Sequence, residues 1–243
     1  MTKYALITGS SRGIGRATAL KFALEGFHVF LNCCTSLDQL KEVEQEIISL
    51  KTGSCQMIPG DVSNSSNVKE MFNIIGNTCQ CLDVLVNNAA ISHTGLLTDL
   101  SNQQWHQIIQ TNLSSAFYCS KEAIPGMVSK KAGKIINISS MWGRIGASCE
   151  VAYSSAKAGI DGFTRALAKE LAPSNIQVNA IACGVVDTGM NAFLSDVEKH
   201  NLKNEIPMGR FATAEEVATL VYDISHRHNY MTGQIIGLDG GYS

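Results

Sequence analysis

Seven short apolar runs punctuate the chain: "YALIT" (4–8), "HVFLN" (28–32), "CQMIPGDV" (55–62), "LDVLVNNA" (82–89), "GKIINIS" (133–139), "IQVNAIA" (176–182) and "GQIIGLD" (233–239). Most do not alternate apolar with polar positions, which is how strands covered on both faces read. Between them lie longer segments with an apolar residue every three or four positions, as at Val43, Ile47, Ile48 and Leu50. That is the period of a helix packed by one face. Repeated strand–helix units predict a parallel sheet of about seven strands, joined by right-handed crossovers with helices on both faces. The four prolines are scattered, no Ser- or Gly-rich linker divides the chain, and no internal repeat is visible. The pattern predicts one doubly wound α/β domain spanning residues 1–243.

Composition narrows the function. A formal net charge of -2 offers no basic field for nucleic acid and no acidic tail. Charged residues make up 16% of the chain, sparse enough to suit much buried surface, including subunit contacts. Among the 8 cysteines, Cys33 and Cys34 are adjacent and Cys79 and Cys81 flank one glutamine. No C-x-x-C pair occurs, so no zinc knuckle or thioredoxin motif is signalled, no metal is expected, and reduced thiols are. The N-terminus enters a glycine loop within its first ten residues, leaving no room for a signal peptide. No apolar run approaches the roughly 20 residues of a membrane span. The expected setting is the cytoplasm, in soluble form.

Candidate chemistry starts at "ITGSSRGIG" (7–15), directly after the first run. Gly9 permits a tight turn, Gly13 lets the backbone approach a pyrophosphate, and Gly15 lets the following helix pack close. The helix start then offers N–H groups and partial positive charge to phosphates. An NAD-preferring fold usually carries Asp or Glu at the end of its second strand. Here that stretch reads "LNCCTSLD", with Asn32, Cys33 and Cys34 where the acid belongs. Nothing there repels a 2′-phosphate, and Arg12, Thr35 and Ser36 can donate to one. NADP(H) is the expected cofactor.

"AYSSAKAG" (152–159) puts Tyr153 and Lys157 four apart, on one face of a helix. A phenol ordinarily titrates near about pH 10, and a neighbouring ammonium lowers that value toward the range useful for proton transfer. Ser140 ends the fifth apolar run, where a doubly wound sheet has its ligand crevice. Asn112 interrupts an otherwise apolar helical stretch.

On "TGSSRGIG" (8–15), "DV" (61–62), "NNAA" (87–90), Asn112, Ser140, "YSSAK" (153–157), "NAIACGVVDTGM" (179–190) and "GLDGGYS" (237–243), the whole chain resembles the classical short-chain dehydrogenase/reductase family. The resemblance implies a Rossmann-type fold. It implies that Tyr153 donates a proton to a substrate carbonyl oxygen while Ser140 hydrogen-bonds the same atom. It further implies that Lys157 lowers the Tyr153 pKa and, with Tyr153, holds the nicotinamide ribose, and that Asn112 seats a water leading to Lys157. As cofactor contacts it implies Gly9, Ser11, Arg12, Gly13, Ile14 and Gly15 of the loop, with Asn32 and Thr35 beyond the second strand. It adds Asp61 and Val62 at adenine, Asn88 and Ala89 beside the fourth strand, and Val186 and Thr188 at the carboxamide. Two departures, Ala90 in "NNAA" and Cys183 before Gly184, touch cofactor affinity and remove no catalytic group.

Within the family, "GRFATAEEVA" (209–218) and "GQIIGLDGGYS" (233–243) resemble the 3-oxoacyl-[acyl-carrier-protein] reductases of bacterial fatty acid biosynthesis, typically homotetramers. Carrier protein is acidic, and Lys130, Lys131 and Lys134 are candidates for a basic docking patch. "SSMWGRIGASCEVAYSS" (139–155) is similar instead to reductases of the 5-aminopentanone modification on elongation factor P, where Glu150 would meet a substrate ammonium or simply start a helix. A third reading, of another class, is a nucleotide-sensing protein without catalysis. The weakly periodic stretch 190–207 is expected to close over substrate.

Overall fold

The computed structural model describes residues 2–192 and 194–243. Each apolar run contains a strand: β1 (Tyr4–Ile7), β2 (His28–Leu31), β3 (Ser54–Met57), β4 (Val84–Asn87), β5 (Gly133–Ser140), β6 (Ile176–Cys183) and β7 (Ile235–Leu238). They form one sheet in the order β3-β2-β1-β4-β5-β6-β7, every neighbouring pair parallel. The third run was expected to reach residue 62, but the chain leaves the sheet after Ile58, whose N–H makes the last bond to Leu31 (2.8 Å). Pro59 has no N–H with which to continue.

The helices are α1 (Gly13–Leu24), α2 (Leu37–Leu50), α3 (Ser65–Thr78), α4 (Asn102–Ile109), α5 (Ser115–Lys130), α6 (Trp142–Ile145), α7 (Val151–Leu171), α8 (Asp196–Glu205) and α9 (Ala214–Arg227). Successive strand residues serve opposite faces, which is why the strands read as unbroken apolar runs. Ala5 and Ile7 of β1 pack with Phe22, Ile47 and Val221 from α1, α2 and α9. Leu6, between them, packs with Met71, Met127 and Leu167 from α3, α5 and α7. With each such side chain worth about 1.5–3 kcal/mol when buried, both faces of the sheet stabilise the fold. No described helix is long and apolar enough to cross a membrane.

From β1 the chain steps outward to β3, then returns to lay β4 on the other side of β1. The connections diverge at that switch point, opening a crevice at the carboxyl ends of the strands. Below it, a buried polar chain crosses the sheet. Asn87 Nδ2 donates to Asn137 Oδ1 (2.8 Å) and to Ser120 Oγ (3.3 Å), and Asn137 Nδ2 donates to Thr164 Oγ1 (2.8 Å). The Thr164 hydroxyl in turn donates to the Ile160 carbonyl (2.8 Å). These bonds tie β4, β5, α5 and α7 together, and only Asn87 Oδ1 in this polar chain has no partner among the described residues; a further unpaired member would carry its full desolvation penalty. Asn137→Ala is therefore expected to lower the unfolding free energy by about 3 kcal/mol, measured by urea denaturation; a loss below about 1 kcal/mol would show the chain to be dispensable.

Candidate active site

The glycine loop joins β1 to α1. Gly9 (φ +63°) and Gly13 (φ +55°) both need left-handed backbone. A Cβ on Gly15 would stand 2.1 Å from the Gly9 carbonyl oxygen, so α1 packs this close only without a side chain there. Arg12 occupies the N-cap position of α1 in extended backbone and makes no side-chain cap, so the first N–H groups of the helix have no such partner. A concave loop, an uncapped helix start and missing side chains together fit the pyrophosphate of a dinucleotide. Thr188 borders the loop, its Cγ2 lying 3.4 Å from where a Gly13 Cβ would be. Asn88 braces it, Nδ2 donating to the carbonyls of Thr8 (2.9 Å) and Gly9 (3.2 Å). The Thr8 hydroxyl accepts from the N–H groups of Asn88 (2.9 Å) and Ala89 (3.0 Å), locking β4 to the loop.

The expected cofactor contacts do not all stand alike. Asn32 is fully buried, and its amide is engaged inside the protein: Oδ1 accepts from Gly9 N (3.3 Å) while Nδ2 donates to the carbonyls of Ile58 (3.2 Å) and Gly60 (3.0 Å). It anchors the glycine loop to the chain leaving β3, so its side chain has no donor free for a nucleotide. Arg12 and Thr35 are exposed, and Arg12 forms no ion pair among the described residues. Asp61 accepts from the N–H (2.9 Å) and hydroxyl (2.7 Å) of Ser63, and Val62 is buried with the core layer under α3. Ser11 is buried within the loop, and Val186 is buried against Ala212.

At the carboxyl ends of β4, β5 and β6 lies a cavity of about 330 Å³. Ser140, Tyr153 and Lys157 line it together with Ile14 and Asn88, so the glycine loop and the Tyr–Lys helix share one space. Val186, Thr188, Met190, Leu194 and Leu202 supply the outer wall. Met190, Asn191, Leu194 and Leu202 of the stretch 190–207 line the cavity, and Phe193 within it lies outside the described residues.

Ser140 ends β5, and its hydroxyl accepts from Trp142 N (3.2 Å) at the start of α6. Tyr153 and Lys157 point from the same face of α7. Lys157 is 2% exposed; its Nζ donates to the Ile138 carbonyl (2.7 Å) and stands 5.5 Å from the centroid of the Tyr153 ring. One turn further along α7, Asp161 accepts from the Ser139 hydroxyl (2.6 Å).

The electrostatics correct one expectation. Burial pushes the Tyr153 phenol above its ordinary value, the negative ends of Cys183 and Glu150 add to the rise, and only the Ser140 hydroxyl opposes it. The Lys157 ammonium, which donates to the Ile138 carbonyl, does not outweigh this burial. Burial lowers Lys157 itself to about 8, with Cys183 and Asp161 opposing. At neutral pH the phenol keeps its proton and the lysine is mostly charged.

The structure also places Asn112 and the expected lysine patch. Asn112 sits in a π turn, Gln110–Ser114, between α4 and α5. Its Oδ1 accepts from Ile91 N (2.8 Å) and its Nδ2 donates to the Ile91 carbonyl (2.7 Å). These two bonds clamp the strap that carries Ala90, Ser92 and Thr94 into the cavity wall. Lys130, Lys131 and Lys134 lie at the opposite end of the sheet. Lys130 pairs with Asp83 (2.5 Å), and Lys134, near the start of β5, bonds the His228 carbonyl and Asn229 (3.1 Å each), about 20 Å from Ser140. They make no basic patch at the mouth.

Two more lining groups, read in the sequence only as a departure and as a possible ammonium contact, gain a position from the structure. Cys183 faces Ser140 across the β5–β6 register, a juxtaposition only strand pairing reveals. Glu150 is the sole carboxylate on the cavity wall among the described residues. Burial raises its pKa, while a hydrogen bond with Thr94 opposes the rise. Cys149 before it holds left-handed backbone (φ +62°), pinned where its carbonyl accepts from Gly95 N (2.8 Å).

A family model described as short chain dehydrogenase matches residues 3–199. An uncharacterized oxidoreductase of Bacillus subtilis, YmfI, is 37% identical over 243 residues, covering 100% of this chain and 99% of that one. The 3-oxoacyl-[acyl-carrier-protein] reductase FabG of Staphylococcus aureus is 39% identical over 242 residues, covering 99% and 98%. Among solved structures, YwfH, an NADPH-dependent reductase involved in bacilysin biosynthesis, superposes with a TM-score of 0.94 at 26% identity, covering 100% and 99%.

The buried lysine yields a stability test. Folded, Lys157 titrates near 8, against 10.5 for an unperturbed lysine, so between those values the unfolded chain binds more protons and stability rises with pH. Lys157→Met is expected to raise the unfolding free energy at pH 7 by at least about 1 kcal/mol and to flatten that rise, measured by urea denaturation from pH 7 to 10.5. An unchanged slope would show that the ammonium carries no desolvation penalty.

Proposed function

Because the chain belongs to the short-chain dehydrogenase family, we propose that it is an NADPH-dependent reductase converting a ketone to a secondary alcohol, with a 3-oxoacyl thioester on acyl carrier protein as substrate. The observation that carries this is the convergence of Ser140, Tyr153 and Lys157 on one cavity bordered by the glycine loop. A ketone oxygen placed between the Ser140 hydroxyl and the Tyr153 phenol receives two hydrogen bonds where negative charge develops. A reduced nicotinamide, when bound, supplies the hydride for the carbonyl carbon. Tyr153 gives its phenolic proton to the oxygen, and the raised phenol value keeps that proton available at neutral pH. The Lys157 ammonium, one turn away, favours the phenolate left behind and can reach a ribose hydroxyl.

For the cofactor, the absence of a carboxylate after β2 and the exposed guanidinium of Arg12 favour a 2′-phosphate, and so NADP(H). Gly9, Ser11, Gly13, Ile14 and Gly15 hold the phosphates. Thr35 lies beyond β2, Asp61 and Val62 flank adenine, and Asn88, Ala89, Val186 and Thr188 lie along the nicotinamide end. Asn32 and Asn112 act by positioning. Exposed apolar side chains on α5, such as Phe117 and Val128, suit subunit contacts, in keeping with a cytoplasmic homotetramer built as one domain.

Glu150 favours a second substrate: the 5-aminopentanone group on elongation factor P, whose ammonium it could pair with. The distance of Lys130, Lys131 and Lys134 from the cavity weighs the same way, since they offer acidic carrier protein no docking patch beside it. The third reading, a nucleotide sensor, leaves the convergent triad without a purpose.

Tyr153→Phe is expected to lower kcat at least about 10³-fold with a simple acetoacetyl thioester, followed by NADPH absorbance; equal turnover would refute the mechanism. Glu150→Gln separates the substrates. On the carrier-protein reading it changes thioester kcat/KM by less than about twofold, whereas on the aminopentanone reading it lowers kcat/KM for that modified factor by about tenfold or more.

A further inference from the structure

The outer wall of the cavity is lightly held. None of the 10 residues of α8 is buried, although Leu202 lines the cavity and Leu194 does so just before the helix. Ser195 and Glu198 cap the helix by bonding each other. Among the described residues, one hydrogen bond links α8 to the rest of the protein: the Tyr242 hydroxyl donates to Glu205 Oε2 (2.8 Å).

Tyr242 reaches that position because the tail after β7 doubles back. Gly240 (φ +66°) and Gly241 (φ +88°) are consecutive left-handed residues. A Cβ on Gly240 would come within 2.8 Å of Ile206 Cγ2, and one on Gly241 within 3.3 Å of Pro207. Met208 N donates to the Gly240 carbonyl (3.1 Å), fastening the tail to the chain that leaves α8. Asp239 secures the turn itself, accepting from Gly241 N (3.0 Å) and from the Ser243 hydroxyl (2.5 Å). A Cβ on Gly184, which lines the cavity, would lie 2.6 Å from Asp239 Cα, so the tail rests on the cavity floor. The Tyr242 ring then meets Trp142 edge-on, centroids 5.6 Å apart at 85°. Trp142, which starts α6 just after Ser140, also lines the cavity.

One side chain thus touches both walls of the substrate space. We propose that Tyr242 is a positioning residue for substrate: by joining the C-terminal end of α8 to Trp142, it sets the separation of the two cavity walls. It touches no reacting atom, and its effect falls on ketone binding. Glu205, hydrogen-bonded to the phenol, holds the Tyr242 hydroxyl protonated, so the latch persists through neutral pH. The proposal rests on the reductase reading for its kinetic consequence and on geometry alone for its mechanical one.

The experiment measures both in the full-length protein. Tyr242→Phe keeps the ring against Trp142 and loses the bond to Glu205. It is expected to raise KM for an acetoacetyl thioester about three- to tenfold, with kcat and the KM for NADPH within about twofold of the parent. Trypsin is expected to cut faster at Lys199 and Lys203 of α8 in the same variant. Glu205→Gln, which keeps an acceptor oxygen, stays near the parent, whereas Glu205→Ala copies Tyr242→Phe. Tyr242→Ala, made in a Trp105→Phe background, also shifts the emission of Trp142. Parental cleavage rates in Tyr242→Phe would overturn the proposal, as would faster cleavage with an unmoved ketone KM, or equal losses in kcat and in NADPH binding. If the parent protein turns over no ketone, the reductase reading fails by itself, and cleavage and Trp142 emission still decide whether Tyr242 holds α8.

Discussion

The active-site cavity depends on how α7 docks against β5. Three polar side chains on one stripe of the helix, Lys157, Asp161 and Thr164, meet the Ile138 carbonyl, the Ser139 hydroxyl and the Asn137 amide on consecutive strand residues. All of them lie in the interior, where a mispaired polar group costs about 1–3 kcal/mol. Sliding or rotating α7 would break all three pairings together. The register is therefore held far more tightly than apolar packing alone would hold it, and Tyr153 is carried to the end of β5, beside Ser140.

The same enclosure sets the charges. Taking a phenol and an ammonium out of water favours the neutral form of each, so the phenol rises and the lysine falls. On the proposed mechanism the phenol is kept protonated until it is called on, and the nearby ammonium then favours the phenolate. The arrangement keeps a costly buried charge where a methionine would pack without that cost, a pattern expected of a site held for chemistry rather than stability.

Rigidity is unevenly distributed around the cavity. The floor comes from strand ends, the braced glycine loop and the strap clamped by Asn112, each with several buried hydrogen bonds. The outer wall is α8, a helix with no buried residue, joined to a five-residue tail. The groups that converge on the cavity are thus held by the floor, and the wall and Glu150 leave its outer side more open to change.

Much of this was legible in the linear chain. Apolar runs without alternation marked strands buried on both faces, and three glycines after the first run marked the cradle. The four-residue spacing of Tyr153 and Lys157 put both on one helical face, because local periodicity and sterics act over a few residues. Partner choice was not legible. Asn32 and Asn112 looked like ligand-facing amides, yet each is engaged by main chain more than twenty positions away. Lys130 and Lys134 looked like a docking patch until the strand direction carried them to the far end of the sheet. The direction of the Tyr153 shift, the facing of Cys183 and Ser140, and the contact between Tyr242 and Trp142 all arise between segments remote in sequence. Burial and hydrogen-bond pairing are properties of the assembled molecule, and no local pattern encodes which distant group a side chain will meet.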